Sequence, residues 1–480
     1  MKIFKQIGKD SAIYGGVDFL TKLVYFFVFP IIASVLSPEE FGALELIYTT
    51  IGLLGIIMAC GLNGAIQRFY WDDQSTEEIQ AKIVTSGFFS QLTFGCAIMA
   101  FASFFLPFSI DLAQESKLPI TEITLIAAVL LLALRQWSQY IIDVIRLHFA
   151  PWRFFAYTLL TRIFSISFSV ITVVFLGYGI EGMIVGETLV LILLLPLGIW
   201  MIRRDLSIFS FSFPWAKDLV KLGYPLIFAG IAYWLFGSMD RWMLATMSSV
   251  EEVGIYSVAF RFASVVLFVS VAFGQAWSPI AIKIRTEHPE SYRKIYGQVF
   301  LLLFFVMLVA GGGAALFAGE AMSLIMPKEY LASALPLSIL CFGIVLQSTQ
   351  QVTAIGISIE KKTFLLARLA WVTAFVNFCG NYLLIPRFGA DGAACTTLIS
   401  YAVLTSSYLF FTQRLHPLDL EWKRFVGLFL MGCLVAAVSF MFISFQINGV
   451  LIALKIALAL LCLYCGWRIL PLKSIRSARL

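Results

Sequence analysis

The feature that most constrains this chain is a series of apolar stretches, each about twenty residues long, separated by short polar connections. A helix of roughly twenty residues spans the hydrocarbon core of a bilayer. Charged residues make up 13% of the chain, against roughly 25% in soluble proteins. The strands of a membrane β-barrel alternate every second residue over about ten positions, and these stretches do not. The sequence therefore predicts an all-α polytopic membrane protein.

The apolar pattern predicts about fourteen transmembrane helices. The connections are too short to fold as a soluble domain, which excludes a fused catalytic domain in water. The predicted bounds are 11–36, 41–67, 83–107, 121–147, 153–177, 181–202, 217–245, 252–283, 294–318, 333–358, 363–386, 390–413, 423–446 and 449–469.

Lys and Arg are distributed unevenly over the connections. With the N-terminus inside, about 25 of the 34 fall on the inner side, and only Lys117, Lys328 and Arg387 fall on the outer side. Because cytoplasmic loops carry an excess of Lys and Arg, both termini are predicted to be cytoplasmic. The net charge of +6 arises from these loops, so it does not indicate a nucleic-acid partner.

Two short outer turns recur in the second half of the chain. Residues 37–42 (SPEEFG) correspond to 249–254 (SVEEVG), and residues 179–182 (GIEG) correspond to 389–392 (GADG). The offsets are 212 and 210 positions, which indicates a repeat of six helices. An even number gives both halves the same orientation, which predicts a pseudo-two-fold axis along the membrane normal and a central cavity.

The repeat predicts three regions. Residues 1–204 form an N-terminal six-helix lobe, residues 205–414 form a second six-helix lobe, and residues 415–480 form two additional helices with a basic cytoplasmic tail.

A few ionisable residues lie inside the predicted helices, where they are costly and usually functional. Basic residues suit an anionic headgroup, since Arg donates bidentate hydrogen bonds to phosphate. Interhelical ion pairs are the alternative: Asp18 with Lys22, Asp143 with a basic neighbour, and Glu187 in a buried pair. The residues predicted to bind a pyrophosphate are Lys22, Arg135, Arg162 and Arg261. The residues predicted for ion coupling are Asp18, Asp143 and Glu187.

Other polar side chains recur at helical spacing, as in helices that line a wet cavity. They are Gln347, Gln350 and Gln351 in the tenth predicted helix, and Asn377 and Asn381 in the eleventh.

No catalytic or metal-binding pattern is predicted. The histidines His148, His288 and His416 lie in separate loops without metal-ligand spacing. Cys462 and Cys465 have the spacing of a metal or redox pair, but they lie in the last apolar stretch and are interpreted as packing residues. No phosphate-binding glycine loop is present, so ATP does not drive the protein.

Several segments resemble the polysaccharide biosynthesis (Wzx-type) flippases, a family of the multidrug/oligosaccharidyl-lipid/polysaccharide exporter superfamily. They are residues 36–44 (LSPEEFGAL), 61–65 (GLNGA) with Arg68-Phe69, Asp240-Arg241 with 251–259 (EEVGIYSVA), and 389–394 (GADGAA). The resemblance implies two six-helix lobes forming a V around a central cavity. It also implies movement of an undecaprenyl-pyrophosphate-linked oligosaccharide from the cytoplasmic to the periplasmic leaflet of the bacterial plasma membrane.

Three other functions are considered. A cation-coupled drug exporter of the same superfamily usually ends after twelve helices and would use Asp18 as its protonation site. A peptidoglycan-precursor flippase also has fourteen helices. A polysaccharide polymerase or ligase would need a sizeable outer loop, which this chain lacks.

The expected partners are the lipid-linked oligosaccharide, the bilayer and, through the resemblance, polysaccharide polymerase machinery. A monomer would suffice, since one chain carries both lobes. No cofactor is expected beyond coupling to H⁺ or Na⁺.

Overall fold

The computed structural model describes residues 2–72, 76–115, 118–360, 362–445 and 448–470. Within these ranges the side chains of a few residues are not described, namely 2–14, 18, 112–115, 208, 275, 278, 279 and 363. The described chain forms two compact units, Met1–Trp234 (unit 1) and Leu235–Leu480 (unit 2).

Unit 1 is helical. Its helices are α1 (Lys2–Ala33), α2 (Pro38–Ala59), α3 (Leu62–Tyr70), α4 (Glu77–Phe104), α5 (Leu106–Glu115), α6 (Glu122–Leu147), α7 (Pro151–Val170), α8 (Gly179–Met201) and the first part of α9 (Phe213–Met247). Helix α7 continues into a π-helical segment, Ile171–Phe175. The packing core includes the contacts of α6 with α8 and of α1 with α7.

Unit 2 contains the second part of α9 and the remaining helices. These are α10 (Val250–Glu287), α11 (Tyr292–Leu316), α12 (Ala318–Ile325), α13 (Ala334–Ser348), α14 (Gln350–Thr353), α15 (Ile355–Ile359), α16 (Thr363–Leu415), α17 (Trp422–Met441) and α18 (Gly449–Ile469).

The helix count agrees with the prediction. In the described residues, thirteen continuous segments are long and apolar enough to cross a bilayer. The longest, α16, consists of two helices joined at Gly389, whose φ is 51° and ψ is −129°. Counting both arms gives fourteen, which confirms the predicted polytopic all-α fold.

The two repeated turns have the same geometry in both units. Ser37 and Ser249 cap the N-termini of α2 and α10 by accepting the backbone N–H of Glu40 and Glu252. The glycines that begin the second pair of repeated turns, Gly179 and Gly389, both have φ of 51°. Within each unit the glutamate lies beside the glycine of the other turn, and Glu252 accepts the N–H of Ala390 at 2.7 Å. We call this side of each unit the turn end, and the opposite, lysine- and arginine-rich side the basic end.

The division between the units falls inside α9 rather than in a loop. The first part of α9 packs on α2, where Trp234 Nε1 donates to the Thr49 carbonyl at 2.9 Å. Gly223 also lies against Cys60, since a Cβ there would be 2.3 Å from the Cys60 carbonyl oxygen. The sequence-based boundary at residue 204 stays a prediction.

The last helix is joined to unit 2 by a buried ion pair. Lys455 of α18 donates to Glu320 of α12 at 2.6 Å, and Lys455 is only 2% exposed. Most of α18 is otherwise little buried. A lysine at this depth is tolerable because the carboxylate compensates its charge.

Candidate functional site

The charged residues predicted in unit 1 form a cluster between α2, α6 and α8. The Arg135 guanidinium donates to both carboxylate oxygens of Glu187, at 2.7 and 2.5 Å. The Tyr48 hydroxyl donates to the same carboxylate at 3.3 Å, and the guanidinium lies 4.4 Å from the centre of the Tyr48 ring. Arg135 is 30% exposed at its side chain and Glu187 is 12% exposed. The structure therefore brings a predicted phosphate ligand and a predicted coupling carboxylate together as a bidentate pair.

Arg162 lies on α7, near this pair. Its electrostatic interaction with Glu187 places it in the same region of the unit, but its side chain is exposed. Among the side chains that the structure describes, none forms a hydrogen bond or ion pair with Arg162. Within the described residues, Arg162 is thus a cation of a spanning segment whose hydrogen-bond donors are available to a ligand.

The remaining predicted residues of the first helix are on α1. Lys22 is exposed and has electrostatic partners of its own. The side chain of Asp18 lies outside the described residues. The packing of α1 against α7 places this helix beside the one that carries Arg162.

Asp143 lies at the basic end of α6. One carboxylate oxygen accepts from Gln139 at 3.0 Å and lies 3.7 Å from the Arg146 guanidinium. The other oxygen is buried and has no hydrogen-bond partner among the described residues. Asp143 is therefore separate from the Arg135–Glu187 pair and only partly neutralised.

In unit 2, Arg261 is half-buried on α10 and is not free of partners. A more deeply buried cluster lies nearby on α9 and α10, around Asp240 and Arg241, which are 4% and 7% exposed. The Tyr256 hydroxyl donates to Asp240 at 2.5 Å, and Arg241 donates to Ser257 at 3.2 Å. Asp240 and Arg241 were named from the sequence only among the segments that carry the family resemblance. The feature that could have indicated a buried cluster is their pair of adjacent opposite charges.

The asparagines of α16 connect its two arms. Asn377 donates to Ser400 at 3.1 Å, and Asn381 donates to Asn377 at 3.0 Å. Both are at most 1% exposed. The polar spacing predicted a cavity lining, but these amides are used for packing of one helix arm on the other.

The histidines and cysteines are dispersed. His148 pairs with Asp205 at 2.9 Å, and His416 lies between Tyr292 and Glu360. Cys462 and Cys465 are free thiols. Within the described ranges there is no group of three or more metal-ligating side chains.

The sequence of this chain matches the model of a known protein family. The family model of the polysaccharide biosynthesis proteins matches residues 7–285, which is more than half of the chain. The chain belongs to the polysaccharide biosynthesis protein family. This confirms the resemblance drawn from the sequence.

Individual relatives are more distant. A probable low-salt glycan biosynthesis flippase of Haloferax volcanii is 21% identical over 232 residues, 48% of this chain and 49% of that protein. The capsular polysaccharide biosynthesis protein CapF of Staphylococcus aureus is 26% identical over 204 residues, 42% of this chain and 50% of that protein. The succinoglycan biosynthesis transport protein ExoT of Rhizobium meliloti is 27% identical over 245 residues, 50% and 46% of the two chains. The chain thus spans about half the length of the curated relatives it matches.

Solved structures of the same fold are transport proteins. The lipid II flippase MurJ in an inward closed conformation superposes with a TM-score of 0.75, at 14% identity, over 96% of this chain and 98% of that one. An inward-facing multidrug resistance MATE family transporter of the MOP superfamily has a TM-score of 0.62, at 16% identity, over 82% and 94%. The chain therefore has the same fold as these two proteins.

Proposed function

We propose that this family member is a flippase for a lipid-linked glycan. The substrate is an undecaprenyl-pyrophosphate-linked oligosaccharide, a repeat unit of O-antigen, capsule or exopolysaccharide. The protein moves it from the cytoplasmic to the periplasmic leaflet of a bacterial plasma membrane by alternating access. Both termini are cytoplasmic in this proposal, so the substrate enters from the basic end.

The observation that carries the proposal is the exposed guanidinium of Arg162 on a membrane-spanning helix. A guanidinium within a membrane-spanning helix is expensive unless it serves a ligand or a partner. Arg135 satisfies its charge through Glu187 and Tyr48, whereas no described side chain accepts a hydrogen bond from the exposed Arg162. A pyrophosphate is a good match, because its oxygens accept the bidentate hydrogen bonds that arginine donates.

The names of the relatives support the same substrate class. Two of the three relatives above are named for glycan flipping or for polysaccharide transport, and the third for capsular polysaccharide biosynthesis. Their alignments cover only half of each protein, so they favour the class and leave the sugar open. Polysaccharide polymerase machinery would consume the flipped repeat unit and is the proposed partner.

The other predicted residues have different roles in the proposal. Lys22 and Arg261 are proposed to contribute positive charge to the passage of the pyrophosphate. Arg135 acts with Glu187 as an ion pair that holds α6 to α8, and it contacts the substrate only if that pair opens. For coupling to H⁺ or Na⁺ we retain Asp18 as the first candidate, because Glu187 is already neutralised.

Transport by the purified protein in vesicles tests this function. A fluorescent undecaprenyl-pyrophosphate oligosaccharide, a lipid-linked peptidoglycan precursor and a cationic dye would be compared, each with and without a proton or sodium gradient. We expect transbilayer movement of the oligosaccharide lipid and little movement of the dye. Movement of the dye alone would identify a drug exporter, and preference for the peptidoglycan precursor would identify a flippase of that lipid.

A further inference from the structure

A cavity of about 280 Å³ lies at the basic end of unit 1, between α3, the end of α6 and the loop that follows it. It combines polar side chains with aromatic rings. The polar side chains are Asn63, Gln67, Asp143 and Arg146, and the rings are those of Trp71, Tyr140 and Phe149. This volume is near the lower limit of ligand pockets in proteins, which is about 300 Å³. The cavity is therefore the right size for one small ring-shaped group.

The cavity exists because α2 and α3 are not one continuous helix. Cys60 and Gly61 both have left-handed backbones, with φ of 47° and 62°. Gly61 tolerates this conformation because it lacks a Cβ, which would lie 2.3 Å from the Gly223 carbonyl oxygen. The break starts α3 in a new direction, and Asn63 and Gln67, four residues apart on α3, line the cavity together.

Two residues that line the cavity each carry an unsatisfied acceptor atom. The Oδ1 atom of Asn63 and the Oδ2 atom of Asp143 are buried and have no hydrogen-bond partner in the described part of the chain. A buried acceptor without a donor is costly, and such atoms are normally paired. Neither atom receives a donor from the described residues of this unit.

Two of the rings are exposed at the cavity. Trp71 is 53% exposed and Phe149 is 65% exposed, and their ring centres are 5.4 Å apart. Phe149 also has φ of 46°, an unusual conformation for a bulky residue. Such strain is concentrated at functional sites, where the surrounding structure maintains it. The His148–Asp205 hydrogen bond anchors the loop at the residue before Phe149.

We propose that this cavity binds one sugar ring of the glycan, as a capture site on the side from which the substrate enters. Sugar hydroxyls would donate to Asp143 and Asn63, while Gln67 and Arg146 would donate to sugar oxygens. The apolar face of the ring would lie on Trp71 and Phe149. The inference rests on the proposed function, since the sugar is the headgroup of the flipped lipid.

A metal cation fits the same surroundings less well. The Arg146 guanidinium lies 3.7 Å from the Asp143 carboxylate and would repel a cation there. Aromatic rings form much of the wall, whereas Na⁺ and similar hard cations require a shell of oxygen ligands. A sugar ring would both donate hydrogen bonds to the acceptor atoms and pack against the aromatic side chains.

Equilibrium binding to the full-length protein in nanodiscs, measured by native mass spectrometry, tests the inference. The probes are undecaprenyl diphosphate and the same lipid carrying glucose, galactose, N-acetylglucosamine or N-acetylgalactosamine. We expect at least one sugar to tighten binding relative to the sugar-free lipid. Asp143→Asn and Trp71→Ala should each reduce that sugar-dependent gain. For Asp143→Asn the reduction should be about tenfold, because a hydrogen bond to a charged group is lost. Glu78→Gln, an exposed carboxylate paired with Lys82, is the control and should leave the gain unchanged.

The outcomes separate the inference from the function. Failure to bind any of the five lipids would overturn the flippase proposal and the capture site with it. Equal binding of all five lipids, or a sugar gain that both variants retain, would overturn the capture site and leave the flippase proposal standing. If the measurement is repeated with and without sodium, binding that depends on sodium equally for all five lipids and is lost in Asp143→Asn would assign the cavity to a cation instead. Trp71 is exposed, so its variant tests the site without depending on the core.

Discussion

The Arg135–Glu187 pair shows how one contact changes the role of two residues. Both were predicted as functional, and the structure joins them through two hydrogen bonds beside Tyr48. Removing one partner leaves the other charge in a largely apolar environment. The loss is about 3–5 kcal/mol for fully buried pairs. It should be smaller here, on the order of 2 kcal/mol, because Arg135 is 30% exposed.

We therefore expect Glu187→Gln to lower the thermal stability of the purified protein in detergent. Arg135→Gln combined with Glu187→Gln should recover part of the loss, because neither charge is then left unpaired. Arg203→Ala, which removes an exposed arginine at the basic end, serves as the control. Equal stability of wild type and the single variant would show that the pair is not structural.

The buried Lys455–Glu320 pair gives a second prediction. Lys455→Met should destabilise the protein, since it removes the ion-pair partner of Glu320, which is largely buried. Lys455→Met with Glu320→Gln should be close to wild type, because an uncharged pair avoids the cost of desolvation. Thermal unfolding of the three proteins measures this. A double variant as unstable as the single one would mean that the lysine contributes mainly by packing.

Sequence reasoning identified these residues more readily than their partners. Charges inside apolar stretches are visible in the sequence, so Arg135, Arg162 and Glu187 could be named. Which of them pair depends on how α6, α7 and α8 pack, and no local pattern specifies that. Tyr48 was missed for the same reason, because a tyrosine in an apolar helix does not stand out until its neighbours are known.

At the scale of elements, the kink of α16 depends on Gly389. Its φ of 51° suits glycine, and a Cβ would lie 2.5 Å from a Glu252 carboxylate oxygen. We expect Gly389→Ala to destabilise unit 2 by about 1–3 kcal/mol, because alanine rarely adopts this combination of φ and ψ, and the clash adds to the loss. Gly313→Ala is the matched control, since no atom lies within 4 Å of a Cβ there. The melting temperatures of the two variants would be measured in detergent. Equal values would show that Gly389→Ala causes no backbone strain.

The helices were predicted well and their irregularities were not. Long apolar stretches fix where a helix can span, so the fourteen crossings and both repeated turns could be derived. The short helices α5 and α12 and the break at Cys60 were missed. They depend on local backbone geometry and packing at the ends of spans, where the apolar pattern is weakest. The cavity at Asn63 depends on that break and was missed with it.

For the whole molecule, the distribution of basic residues predicts the orientation. In a cysteine-free background, a cysteine at Ser248 on the turn end should react with a membrane-impermeant maleimide in intact cells. A cysteine at Glu287 on the basic end should react only after permeabilisation, because that end is proposed to be cytoplasmic. The opposite labelling pattern would invert the topology and the direction of transport.

We propose that arginines within the membrane-spanning helices, Arg162 and Arg261, bind the pyrophosphate of the glycan lipid during transport. The most direct measurement is the rate at which Arg162→Ala with Arg261→Ala moves a fluorescent undecaprenyl-pyrophosphate oligosaccharide across vesicles, compared with wild type and Arg203→Ala. We expect the folded double variant to move the lipid at least about tenfold more slowly than wild type, and Arg203→Ala to move it at the wild-type rate. An unchanged rate in a folded double variant would contradict it, because the anionic headgroup would then cross without these arginines.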